Sequence, residues 1–217
     1  MDISLWGFAL FSLCYAFMGV ILIALYVHTY RGHILPFVFS SWEYRIYFLL
    51  LCAFSFMILV WQGLGALYVI LMFLLLLGII DIKCLALPDI LNFALLGICV
   101  VYAFLESTLM QESFIQRVLL GFGVGGVFFA LKILYQSLSN RDIMGEADII
   151  VLCSLGVAFG TLDTFMSVFL GSICALLYAL VFALYSRQSL IQLKLPFCFF
   201  VFLGTMLHLG FGVWLYA

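Results

Sequence analysis

Two short stretches bring acids into an otherwise apolar chain: DIKCLALPD at 81–89 and GEADI at 145–149. Asp81 ends one long apolar run, and Asp148 opens another. Carboxylates beside hydrocarbon are expensive and often functional. Brought together, two of them have a defined chemistry. Like charges a few Å apart do not both ionise readily, so such a pair holds one proton between its members. The ionised member then takes a proton from water while the protonated one gives a proton to a carbonyl oxygen or a leaving group. Left apart, each is an ordinary acid at a wetted helix end, where charge belongs.

The elements that must position these acids follow from composition. Of 217 residues, 68% are hydrophobic and 8% charged, and the mean hydropathy is +1.36. A soluble domain carries roughly 25% charged residues, so this chain has no means of covering a surface that faces water. The lipid bilayer is its solvent. Every backbone group in the bilayer must be satisfied within its own segment, which favours helices, and runs such as LGALYVILMFLLLLGII lack the alternation of a membrane barrel. The expected fold is all-α: a polytopic integral membrane helical bundle of about eight transmembrane helices, forming a single membrane domain over residues 1–217. The net charge of −2 and the lack of a basic stripe argue against a nucleic-acid partner.

The spans are read at about 4–27, 46–61, 64–80, 89–105, 117–135, 147–161, 164–185 and 197–216. The first lacks the basic flank and small-residue cleavage site of a signal peptide, so it is expected to be a retained helix. The second and third divide a continuous apolar run at WQGLG, the one glycine-rich place to turn it. This division also orders the charges. Arg31, Arg45, Lys83, Lys132, Arg141, Arg187 and Lys194 fall on one side and Arg117 alone on the other, a bias that marks the first side as cytoplasmic. Asp81 and Asp148 then share one membrane depth, at the cytoplasmic boundary.

The two stretches, in this order, resemble the type IV prepilin peptidases, membrane aspartyl proteases with a G-x-G-D motif. Asp81 stands eight residues before Asp89 of the Pro88–Asp89 pair, and Asp148 closes a motif opened by Gly145. LKLPFCFFVFLG at 193–204, with Pro196, is similar to the family's late Pro-Phe segment. The resemblance covers roughly residues 60–205. It implies an aspartic-type endopeptidase with Asp81 and Asp148 as catalytic residues. It also implies type IV prepilin or pseudopilin precursors as partners, cleaved at the cytoplasmic face of the bacterial inner membrane. Pro88 is expected to break the chain before the fourth span, Asp89 to cap that span, and Pro196 to break the chain before the last.

This sequence departs from the family pattern in several places. Ala147 replaces the second glycine, and Ile150 replaces a lysine that commonly follows the second aspartate. Lys83 replaces an acid; it is either a cation near the site or, as we read it, a cytoplasmic anchor. Glu146 is either a wetted loop acid or a third carboxylate that tunes the pair. Long members of the family carry two C-x-x-C pairs that bind zinc, whereas the cysteines here, at 14, 52, 84, 99, 153, 174 and 198, form no such pair. They read as packing residues, and no metal is expected. His28 and His33, spaced five apart, are a poor chelating pair without other ligands. No cofactor is implied for proteolysis; S-adenosylmethionine enters only with the N-methyltransferase activity of many members, for which no residue here offers support.

Helix ends suggest roles for the two acids: Asp148, opening a helix, as the ionised base, and Asp81, closing one, as the initial acid. The cytoplasmic acids Glu43, Asp142 and Glu146 are candidates for attracting a basic leader. Two rival readings stand beside the protease. One is a catalytically inactive assembly factor of the same fold; the other is a proton-coupled transporter, which should show internal repeats that are not seen.

Overall fold

The computed structural model describes residues 5–31, 42–110, 113–139, 144–186 and 194–216. Asp2, His33, Glu112, Arg141, Asp142 and Arg187 lie outside the described residues. Among those described, the chain forms eight helices and no strand: α1 Leu5–Arg31, α2 Trp42–Gln62, α3 Ala66–Cys84, α4 Asp89–Met110, α5 Phe114–Ser139, α6 Glu146–Phe159, α7 Thr161–Ser186 and α8 Phe197–Tyr216. Several run a turn past the apolar stretch that defines them in sequence. Among the described residues six helices are long and apolar enough to cross a membrane, and the protein is a polytopic helical membrane bundle. α6, with 14 residues, rises only about 21 Å, less than the roughly 30 Å hydrocarbon thickness.

The long apolar run does break at WQGLG. Gly63 takes φ +73, a left-handed conformation that glycine adopts without strain, and its N–H closes α2 on the Leu59 carbonyl at 2.9 Å. α3 then reverses direction and becomes the buried centre of the bundle. It is apolar all round, and residues from Tyr68 to Asp81 are mostly covered, as expected of a helix enclosed by others. It packs against α1, α2, α4 and α8, while α6 packs against α4, α5 and α7.

Two devices hold these contacts together where lipid offers no hydrophobic drive. The first is polar: Ser55 of α2 hydrogen-bonds Ser12 of α1 at 3.0 Å and Tyr68 of α3 at 2.7 Å, and Tyr15 donates to the Met72 carbonyl at 2.8 Å. The second is the absence of side chains. A Cβ on Gly121 would strike the backbone of Val157, and one on Gly78 would come 2.9 Å from the Cα of Phe199. So α5 meets α6, and α3 meets α8, almost backbone to backbone.

α3 ends on Leu85, which takes φ 49, ψ 33 and donates its N–H to the Asp81 carbonyl at 2.8 Å. The left-handed conformation is strained for a residue with a Cβ. Leu85 is 48% exposed, so glycine there relieves more strain than it loses in packing. Leu85→Gly is expected to stabilise the protein by roughly 0.5–1 kcal/mol, read as a higher thermal midpoint in detergent; a lower midpoint would show that the leucine side chain matters more than its backbone.

Candidate active site

Asp81 occupies the last turn of α3 and is buried, 6% exposed. Its Oδ2 accepts the backbone N–H of Cys198 at 2.9 Å, a bond that spans 117 positions. The bond exists because α8 begins directly after Pro196. The amide of residue 198 belongs to the first helical turn, where no carbonyl of its own helix is available. A carboxylate is the natural acceptor at such a helix start.

Asp148 is the third residue of α6, and its Oδ2 accepts the N–H of Gly145 at 3.2 Å. An acid in that position reaches back to the residue that starts the helix, as in a capping box. Gly145 itself is extended, with φ −68. A Cβ on it would press to 3.3 Å from the Asp148 Oδ2, so the small residue leaves the carboxylate its room. The other oxygen, Oδ1, lies 4.0 Å from the Cys198 sulfur.

Cys198 therefore touches both acids, one through its amide and one through its thiol, and is itself fully buried. The charge of Asp81 bears on Asp148. The structure brings the two aspartates to one place, at the end of the bundle where α3 finishes and α6 and α8 begin. It also removes the distinction drawn from helix ends. Asp81 closes its own helix but faces the start of α8, so both carboxylates meet helix N-termini, and helix polarity no longer separates acid from base.

The supporting residues divide. Lys83 is engaged away from the pair: it is salt-bridged to Glu43 of α2 and lies 5.5 Å from the centre of the Tyr47 ring. Glu43, a candidate for holding a leader, is thus already partnered. Partly exposed pairs contribute at most about 1 kcal/mol, so Lys83→Met is expected to leave the cleavage rate within about threefold of wild type; a loss of a hundredfold in a peptide assay would return Lys83 to the site. Asp89 is exposed in the first turn of α4, one residue inside the helix, and the Pro88 carbonyl accepts the first helical N–H, that of Asn92, at 3.0 Å. Ala147 is partly buried and packs on the core, so its methyl is accommodated. Glu146 is exposed and lies 4.0 Å from Lys132 of α5.

Lys132 of α5 lies 4.0 Å from Glu146, so a cation reaches the second motif from a neighbouring helix where Ile150 offers none. Three residues at this end were not singled out by their sequence. In sequence Lys132 reads as one of seven cytoplasmic cations and Cys198 as one of seven packing cysteines, while nothing local marks Asn92. The only signal for Cys198 was its place two residues after Pro196.

The opposite end holds a separate polar group. Arg117 pairs with Glu106 at 2.8 Å and donates to the last-turn carbonyl of Ala158 at 2.7 Å, beside a cavity of about 600 Å³. His208 meets Asp163 of α7 at 3.1 Å, a histidine bonded to its neighbouring helix.

Two aspartates from separate helices of a membrane bundle are thus gathered around one buried residue. The family model of the type IV leader peptidases matches residues 68–180, just over half of the chain. The protein belongs to that family, one of peptidases. The matched segment includes Asp81, Asn92, Lys132 and Asp148 and ends before α8, which carries Cys198. No curated protein and no solved structure matches the chain.

Proposed function

We propose that the protein is an aspartic endopeptidase that removes the leader from prepilin or pseudopilin precursors, with Asp81 and Asp148 as its catalytic residues. The observation that carries the reading is the convergence of both carboxylates on Cys198. Two carboxylates brought close in a protein interior repel when both are ionised. One shared proton relieves that repulsion and supplies both halves of the chemistry. The ionised member takes a proton from water as its oxygen bonds to the scissile carbonyl carbon, and the protonated member gives its proton to the carbonyl oxygen. Collapse of the resulting gem-diol breaks the C–N bond; the amine nitrogen takes up a proton, and a carboxylate and a free N-terminus are left. The pair titrates as a unit, so the two roles belong to the dyad.

The location follows from charge. The cytoplasmic side inferred from the basic residues is the end where α3 finishes and α6 begins. A precursor with a short basic leader and an apolar membrane segment presents its scissile bond at that boundary. Purified protein in lipid vesicles is expected to cut a synthetic precursor once, between leader and apolar segment, equally well with and without a metal chelator. No cleavage by folded protein would favour an inactive assembly factor, and chelator sensitivity would contradict the two-acid mechanism.

A further inference from the structure

Asn92 is 0% exposed in the first half of a membrane helix. Its Nδ2 donates to the backbone carbonyl of Ala147 at 2.8 Å, and among the described residues its Oδ1 meets no donor. This pairing is poor for stability. A buried amide oxygen left without a donor costs more than one ordinary hydrogen bond returns. Leucine, with the same number and branching of side-chain heavy atoms, would carry no such penalty. The reason for an asparagine is therefore to be sought in what the bond holds.

It holds the residue before Asp148. Ala147 is the second residue of α6, and its carbonyl is fixed by a side chain from the first turn of α4. That turn is tied in its own right to the first motif: the Asn92 N–H bonds the Pro88 carbonyl at 3.0 Å, and Pro88 ends the loop that leaves Asp81. Asn92 is thus a single direct link between the segment that follows one aspartate and the segment that precedes the other. Neither Gly145 nor Cys198 does this. The first sets Asp148 relative to its own helix, and the second receives both carboxylates from α8.

We infer that Asn92 is a positioning residue of the dyad: its amide fixes the first turn of α6 against α4 and so sets where the Asp148 carboxyl meets Asp81. The inference rests on the proposed two-aspartate mechanism for its effect on rate, but the link itself is tested without it.

The experiment compares wild type, Asn92→Leu and Asn92→Gln in lipid vesicles by three readouts: thermal midpoint, hydrogen–deuterium exchange of the amides at 146–150, and cleavage of a synthetic precursor. In Asn92→Leu the midpoint is expected to stay or rise, exchange to quicken in the first turn of α6, and kcat to fall on the order of 10²-fold, as displacement by about 1 Å does, with KM little changed. Asn92→Gln, which keeps the donor on a longer arm, is expected to recover part of the rate. A lower midpoint with faster exchange throughout α4 and α6 would make Asn92 a stability residue and overturn the inference, as would unchanged exchange and rate in Asn92→Leu. If wild type itself does not cleave, the protease reading fails; faster exchange confined to 146–150 would still establish the link, and unchanged exchange would refute it.

Discussion

Replacing Asp81 or Asp148 by asparagine is expected to lower cleavage of a precursor peptide by about 10³- to 10⁴-fold, the upper range for a positioned acid or base. Asparagine keeps the shape of the carboxylate and one oxygen. Asn at 81 can still accept the Cys198 N–H, and Asn at 148 the Gly145 N–H. The bonds that place both side chains therefore survive, while the ability to give up and regain a proton does not. Asparagine is neutral, fills the same space and keeps the bonds just named, so thermal midpoints should not fall. Kinetics on protein in vesicles, alongside thermal unfolding of the same preparations, checks both halves. A variant that loses activity only because it unfolds would leave the catalytic assignment without support.

Gly204→Ala should have the largest effect among changes remote from the acids. A methyl at Gly204 would collide with the Ser167 carbonyl and with the backbone of Gly171, and a methyl at Gly171 would in turn meet the Phe200 carbonyl. α7 and α8 thus touch through their backbones, which cannot move aside as a side-chain tip can. Overpacking of this kind typically costs about 1–3 kcal/mol. The displaced element is the helix whose first turn provides the Cys198 amide to Asp81. A lower thermal midpoint and a lower rate are both expected, whereas Gly123→Ala, with nothing within 4 Å of the added methyl, should change neither. Equal behaviour of the two variants would mean that the α7–α8 contact is not close.

Much of this was legible in the sequence, because few residues in an apolar chain have a reason to be polar. The turn at WQGLG was visible as the single glycine-rich break in a hydrophobic run, and Gly63 does take the conformation that glycine allows. The two aspartates stood out for the same reason. What the sequence concealed were partners supplied across helices. Asp81 looks poorly placed at the end of α3 until α8 is seen to start against it, and no local pattern announces that Cys198 offers a backbone amide. Lys83 and Lys132 are alike as letters, yet one turns to Glu43 and Tyr47 while the other faces the opening of α6. Nothing local marks Asn92, because its partner is the Ala147 carbonyl, 55 positions away. Periodicity reports which face is apolar; it does not report which helix lies opposite.

The central claim is that the two acids act as one unit, and a double-mutant cycle on precursor cleavage measures this most directly. Single-turnover rates for Asp81→Asn, Asp148→Asn and the doubly substituted protein are predicted to be equal within a few-fold, because losing either member already removes the shared proton. Losses that multiply, or substantial turnover by one single variant, would mean that the acids work separately and would contradict the account.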